Sequence, residues 1–246
     1  MRDAMRVKLL VLVLCATTIA LAPTRALACG VSGPDGVWSC SLEEHNEQER
    51  PRWNLGAVGA YTWTKIRIAS VKAKAERSAA LLSASYAPTK RLRLQASAGV
   101  AISGSLAMPD GTHTFSPGVS GALGVNYRFL SGKPFLLLSG VLSASTAETQ
   151  LRGGSGDMTR YTALDLRVAL AFGATFFEAL SPYLVTRVFG GPIFWRYQGK
   201  DVVGTDAYHV QLGAGLSYRI ARRVDLFVEG VPLGERALSG GAATVF

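Results

Sequence analysis

Residues 91–108 read RLRLQASAGVAISGSLAM, and apolar and polar residues alternate through nearly all of it. Leu92, Leu94, Ala96, Ala98, Val100, Ile102, Leu106 and Met108 share one parity. Arg91, Arg93, Gln95, Ser97, Gly99, Ser103 and Ser105 share the other. A period of two belongs to a β-strand, whose successive side chains point to opposite faces. This strand is far longer than the five or six residues usual in globular sheets. One of its faces is apolar and uncharged; the other holds arginine, serine and glycine. Few folds accommodate such a strand.

The pattern recurs along the chain. Period-two segments cover residues 53–63, 80–86, 91–108, 119–129, 136–144, 164–172, 183–198, 208–218, 224–228 and 238–246. The seventh, YLVTRVFGGPIFWRYQ, keeps an apolar outer face only if its parity changes at Gly190-Gly191-Pro192. A bulge is predicted there, because proline has no N–H for the ladder. The links APTKR, LSGKP, ALSP and IARR are tight, and so is PLGE. The links KIRIASVKAKAERS, PDGTHTFSP, TQLRGGSGDMT and GKDVVGTDA are long. Ten antiparallel strands put four tight turns at one end and the long loops at the other. Eight strands remain the count if the seventh or tenth segment is not a strand.

Charge decides which face points outward. In a soluble barrel the outer face meets water and carries the charges. Here the apolar faces of 91–108, 119–129, 164–172 and 208–218 carry no charge at all. The charges sit on the face rich in Gly, Ala and Ser, which a curved lumen encloses easily. An apolar, charge-free outer face faces lipid, and lipid requires the closed backbone pairing of a barrel. Aromatics bracket the strands. Trp53 lies at one end of the first, with Tyr61 and Trp63 at the other; Tyr86, Tyr127, Phe129, Tyr218 and Phe246 fall near the tight turns. Along a tilted strand at ~3.4 Å per residue, Trp53 to Trp63 covers about the 25 Å apolar band of a membrane barrel. Hydrophobic residues make up 48% of the chain, yet no stretch after the N-terminus is long and apolar enough for a membrane helix.

Residues 1–28 read as a secretory signal peptide. Arg2, Arg6 and Lys8 precede an apolar run, and Ala26-Leu27-Ala28 forms the cleavage site. A variant reading makes Cys29 a lipidated first residue, although Ala26 stands where a lipobox has a large aliphatic residue. Cleavage removes four basic residues and Asp3 from a net charge of +9, so the remainder stays basic. Residues 29–51 form a polar, then acidic, N-terminal segment. Ser41 and Glu44 have the spacing of a helix capping box there. Cys29 and Cys40 are an even pair in an exported chain, so a disulfide between them is expected. No metal set is legible, since only His45 lies close to the two cysteines. The expected barrel is residues 52–246.

This architecture resembles the transmembrane β-barrels of Gram-negative outer membranes. The likeness covers residues 53–246 and rests on the signal peptide, even strand count, alternating link lengths and terminal Phe246. It implies an all-β, closed, up-and-down barrel located in the outer membrane. It also implies lipid and lipopolysaccharide as neighbours, and recognition of the last strand by the barrel-assembly machinery. Ala242 and Thr244 are less apolar than usual in such a strand.

Function then rests on the enclosed face. Arg91, Arg93, Asn126, Arg128, Arg219 and Asp225 are expected in the lumen near the tight-turn end. Arg187 and Glu229 are expected near the middle; Asp165, Arg167, His209 and Gln211 lie further toward the long loops. One reading is a narrow, anion-preferring pore for ions or small solutes. The other is a closed lumen with a structural Arg–carboxylate network. Glu43, Glu44, Glu47 and Glu49 suit a plug against Arg91, Arg93, Arg128 and Arg219. An enzyme would use His113 or His209 with Asp110, Asp157, Asp201 or Asp206, a His–carboxylate pairing suited to acid–base work. A loop-mediated adhesion module is a further alternative. The basic stretch Lys65, Arg67, Lys72, Lys74 and Arg77 is expected to face lipid phosphates. No cofactor motif is present, and nucleic acid is not expected, because no basic patch carries stacking aromatics.

Overall fold

The chain is described by a computed structural model covering residues 29–32, 37–40, 53–68, 71–130, 133–151, 158–177, 179–197, 199–221 and 224–246. The expected signal peptide, the Ser41–Glu44 capping box, the acidic plug residues and Asp157 lie outside them. Among the described residues all regular structure is strand. In chain order the strands are β1 (Cys29–Ser32), β2 (Val37–Cys40), β3 (Trp53–Ile68), β4 (Val71–Tyr86), β5 (Leu92–Met108), β6 (Gly111–Phe115) and β7 (Gly118–Leu130). They continue as β8 (Pro134–Leu151), β9 (Thr159–Ala174), β10 (Leu180–Gly190), β11 (Pro192–Tyr197), β12 (Lys200–Asp206), β13 (Val210–Ala221), β14 (Val224–Leu233) and β15 (Arg236–Val245).

Ten strands pair in a ring, each antiparallel to its neighbours: β3, β4, β5, β7, β8, β9, β10, β13, β14 and β15, with β15 returning to β3. The closing seam is fully registered, from Arg236 opposite Trp63 to Val245 opposite Asn54. The Phe246 N–H donates to the Trp53 carbonyl at its foot (2.9 Å). A closed ring leaves no strand edge unpaired, which is what the long alternating strands require.

Three of the expected long loops are also strand. KIRIASVKAKAERS is the upper half of the β3–β4 hairpin, paired without a break up to Ile68 opposite Val71. PDGTHTFSP contains β6, and GKDVVGTDA contains β12. These pairings build a second ring on the first. Above the ten strands, β3, β4, β5, β6, β8, β9, β11 and β12 close into eight, because β12 pairs with both β11 and β3. The β14–β15 hairpin is short and stops at Trp63. Hence the wall steps from ten strands to eight. The seventh and tenth segments are both strands, so the lower ring has the ten read from the sequence, and the eight-strand closure above it is built partly from segments read as loops.

The step also explains the seventh segment. β10 and β11 are one wall strand broken at Gly191, whose neighbour on one side is β13 below and β12 above. Against β9 the register does not shift: Gly190 faces Leu166 and Ile193 faces Ala163. The expected bulge against that neighbour is therefore absent, and parity does not change. Tyr183, Val185, Arg187, Phe189, Ile193 and Trp195 all point inward and are buried. The glycine answers a close approach instead, since a Cβ at Gly191 would lie 1.9 Å from the Leu164 carbonyl oxygen. A parity change does occur in β5. Ser78 faces Ser103 and Ala79 faces Ala101, which leaves Ile102 as an extra residue. Ile102 and Ser103 are both exposed, and beyond them Leu106 is wholly buried with Met108 packed near it. The sequence reading that put Leu106 and Met108 outside and Ser103 inside is corrected accordingly.

The outer face of the ten-strand ring is apolar and exposed. Leu82 (70%), Leu123 (66%), Val119, Leu142, Leu166, Leu184, Val210 and Val228 belong to it. Below, Trp53 and Tyr86 pack at 4.9 Å, and Tyr127 packs edge-on to Phe129 at 5.0 Å. Tyr218 and Phe246 are exposed near the same end. Above, Tyr61 and Trp63 form an edge contact at 4.3 Å. Beyond Trp63 the outer face of β3 and β4 turns polar, with Lys65, Arg67, Lys72, Lys74 and Glu76 exposed.

The interior changes in the opposite sense. The eight-strand section encloses a core of Ile66, Ile68, Leu106, Phe115, Tyr161, Ile193 and Trp195. The ten-strand ring encloses charged and amide side chains, with one apolar patch formed by Phe135, Leu137, Ala169, Ala171, Tyr183 and Val185. Tyr183 lies across Gly215, where a Cβ would fall 2.2 Å from its ring, so glycine there makes room for the aromatic side chain. The β1–β2 hairpin places Cys29 opposite Cys40. β1 lies beside β3, β14 and β15, and β2 approaches β8, which stands across the ring from β15. The hairpin thus spans the ring.

Candidate functional site: the enclosed face

Inward positions of the ten-strand ring stack in layers. In the middle, Arg187 Nη2 donates to Glu229 Oε1 at 2.6 Å, and Tyr183 Oη donates to Glu229 Oε2 at 3.0 Å. Both ends of the ion pair are almost fully buried, at 1% and 2% side-chain exposure. Such a pair is held by geometry and extra hydrogen bonds, since burial alone would disfavour it. β10 and β14 supply these residues from either side of β13.

Next to it lies a second network. Arg167 donates from Nε to Asp165 Oδ2 and from Nη2 to Glu235 Oε2 (3.0 Å). Gln211 Nε2 donates to the same Glu235 oxygen at 2.8 Å. The Arg167 guanidinium also lies over the Phe189 ring, 5.3 Å from its centroid. Glu235 comes from the tip of the short β14–β15 hairpin. The sequence reading missed it because PLGE reads as a plain turn.

Toward the tight turns, Arg219 grips Asp225 with two hydrogen bonds of 2.9 and 3.3 Å. Arg93, Asn126 and Arg128 are buried beside Asn54, Gln95, Ser85 and Ser139. Arg93 faces Asn126 across the β5–β7 pair, and its Nη1 lies 3.5 Å from Ser85 Oγ.

Ten of the twelve expected lumen residues are therefore enclosed, and two are not. Arg91 precedes β5, is exposed, and lies in the turn whose backbone N–H groups bond Thr89 Oγ1. His209 sits in the link between β12 and β13 at the step and is exposed, its Nδ1 3.3 Å from the Phe189 carbonyl. Its alternation with Val210 is genuine, but the wall has changed partners there. Arg77 is corrected in the other direction. It points inward, donates to Ser145 Oγ at 3.1 Å, and lies over Phe115 and Tyr161 at 5.2 and 5.5 Å.

A cavity of about 190 Å³ lies between the networks and the upper core. Ser97, Ser143, Ser145, Arg77, Asp165 and Asp206 line it, and Ile66, Tyr161 and Ile193 of the core bound it above. Burial, together with Glu235 and Asp165, pushes the Asp206 carboxyl up to about 7; Arg167 and His209 oppose this.

The expected His–carboxylate pair forms in part. Asp110 Oδ2 lies 3.5 Å from His113 Nε2 at the far end of the eight-strand section. Burial raises the Asp110 carboxyl, but a hydrogen bond from Tyr197 and the neighbouring His113 outweigh it, leaving the value lowered. Burial and that same bond push the Tyr197 hydroxyl up to about 12. The His113 ring is buried and meets Trp195 edge-on at 5.1 Å. Trp195 Nε1 in turn donates to Thr149 Oγ1 at 2.8 Å. Asp201 is exposed on β12 and Asp206 faces the cavity, so neither joins His113. This cluster caps a hydrophobic core, and no serine or cysteine nucleophile stands in it among the described residues. Nor do the described residues hold a group of three or more His, Cys, Asp or Glu arranged for a metal ion.

No protein-family profile matches the chain, and no curated protein matches it. Solved structures do resemble it. The translocator domain of the autotransporter NalP from Neisseria meningitidis aligns at 11% identity over 83% of this chain and 91% of that one, with a TM-score of 0.48. The outer membrane protease OmpT from Escherichia coli aligns at 9% identity over 79% and 97%, TM-score 0.48. The outer membrane protein OprG from Pseudomonas aeruginosa aligns at 10% over 80% and 96%, TM-score 0.41. At this level the likeness carries no function.

Proposed function

We propose that the chain is an integral β-barrel of a Gram-negative outer membrane, with a filled interior and a structural role. One observation carries this reading: the ten-strand ring has a continuous, exposed, charge-free apolar belt bracketed by aromatic side chains. Water does not tolerate so large an apolar surface on a monomer. A bilayer does, provided every backbone group inside it is paired, and the ring supplies that pairing. The basic outer face above Trp63 suits the phosphate-rich leaflet surface.

Three features support a filled interior over an open pore. The upper core packs Phe115, Tyr161, Ile193 and Trp195 across the eight-strand section. The buried Arg187–Glu229 and Arg167–Asp165–Glu235 networks occupy the middle. The β1–β2 hairpin spans the ring. The barrel is then a rigid pedestal holding the eight-strand section and its hairpins outside the bilayer. An expected disulfide between Cys29 and Cys40 fits their opposed positions in that hairpin.

Single-channel recording of detergent-refolded protein in a planar bilayer tests the reading. Silence from a folded barrel is expected. A steady current, anion-preferring and reversed in preference by Arg93→Glu, would instead establish the narrow pore.

A further inference from the structure

The outer face beside the step carries an arrangement that the barrel itself does not need. In the β3–β4 hairpin Lys65 stands directly opposite Lys74, and Arg67 directly opposite Lys72. All four are exposed, and no described acidic side chain forms an ion pair with any of them. Like charges directly across a strand pair are destabilising. Two such pairs stacked on one hairpin form a lattice of cations with unspent attraction for an anion. The nearby Glu76 carboxylate accepts a hydrogen bond from Tyr61 Oη at 3.0 Å.

The lattice has a floor. Since the β14–β15 hairpin stops at Trp63 and β12 crosses to β3 above it, the wall is notched there. The notch has a volume of about 320 Å³; Trp63, Lys65, Lys74, Tyr208 and Arg236 line it, and so does Glu76, whose carboxylate is engaged by Tyr61. Lys65 Nζ lies 6.0 Å from the centre of the Tyr208 ring. Trp63 ends the apolar belt, and Lys65 is the next outward residue, ~7 Å further along the strand. Cations therefore sit one step above apolar and aromatic surface, on one side of the ring.

We infer that this notch binds a phosphorylated lipid of the leaflet on the long-hairpin side. Its phosphates lie among Lys65, Lys74 and Arg236, and the start of its apolar part lies against Trp63 and Tyr208. Placement at the belt edge favours a lipid headgroup over a free anion, because the notch offers charge and apolar surface together at the height where a headgroup meets its chains. This inference rests on the membrane reading above.

The test uses the full chain refolded in a neutral detergent, with diphosphoryl lipid A as probe and native mass spectrometry as readout. The wild-type protein is expected to retain the lipid, and Lys65→Ala/Lys74→Ala to weaken retention about tenfold. The fully dephosphorylated lipid should not be retained. Lys74→Glu keeps the variant interpretable if others fold poorly. It is expected to lower lipid retention while raising the melting temperature in lipid-free detergent, because it turns a like-charge pair into an attractive one. Equal retention by wild type and variants, or of the dephosphorylated lipid, would overturn the site. So would displacement by inorganic phosphate at the lipid's own concentration, which would mark a free-anion site. A chain that folds and stays monodisperse without detergent would instead sink the membrane reading itself.

Discussion

The two stacked sections of this sheet are inside-out versions of each other. In the ten-strand ring the outer face is Leu, Val and Phe, and the enclosed face is mostly Arg, Glu, Asn, Gln and Ser around the apolar patch of Phe135, Leu137, Tyr183 and Val185. In the eight-strand section the outer face carries Lys65, Arg67, Lys72 and Lys74 on β3 and β4, with Phe194 and Val203 exposed on β11 and β12, and the enclosed face is Leu106, Phe115, Ile193 and Trp195. The same strands run through both, so the backbone does not set which face is apolar. The surroundings do. A section surrounded by lipid keeps its charges inside, where they pair; a section surrounded by water hides its aromatics. The inversion falls at Trp63, the height at which the wall loses two strands.

The largest expected effect tests the charged interior. Arg187→Ala removes the arginine that pairs with the buried Glu229 carboxylate, and is expected to cost about 3–5 kcal/mol in denaturant unfolding from micelles. Replacing both partners with apolar residues of similar size should cost much less. Equal losses would mean the pair is not the buried unit described. Leu106→Ala probes the other section and should cost about 2–5 kcal/mol. Its mark is faster amide exchange in β6 and β11 with the lower ring unchanged. If exchange rises evenly around the ring, the two sections are one cooperative unit.

Outward positions sharpen the contrast. Leu123→Lys in the belt should cost about 2–4 kcal/mol in a bilayer. An exposed upper site such as Lys72→Leu should stay within about 0.5 kcal/mol. A harmless Leu123→Lys would remove the argument for lipid around the ring. The gentlest probe is pH. The folded Asp206 carboxyl is raised from 3.8 to about 7, so the folded state holds the extra proton. Its stabilising contribution is complete below the unfolded value and is lost as pH rises through about 7, by at most ~1.4 kcal/mol per pH unit. Melting temperature followed from pH 4 to 8 should fall, and Asp206→Asn should flatten that slope.

Much of the ring was legible because its rule is simple. Leu92, Leu94, Val100, Val119, Leu123, Leu166 and Leu212 alternate with residues that all turn inward, and period two leaves no other assignment. Arg93, Arg128, Arg187, Arg219 and Glu229 followed from parity alone. Leu106 did not, because an extra residue at Ile102 shifts every later side chain to the other face while the sequence keeps alternating. Trp195 was misread for a related reason. The sequence reading assigned the apolar side to lipid everywhere, and above the step that assignment reverses. Glu235, Arg77 and His113 joined the enclosed set through long-range pairing that no local pattern records.

By itself, then, the sequence determined that the chain is long antiparallel strands with tight links at one end, and that a charge-free face runs around them. Those are local facts, fixed by side-chain period and by the cost of placing charge in an apolar medium. Only the tertiary structure decided where ten strands become eight, which side of each upper strand is inside, and which charges meet. Those depend on β12 reaching β3 and on the β14–β15 hairpin stopping short. Pairing between strands distant along the chain depends on how the ring closes, and closure is a property of all the strands together.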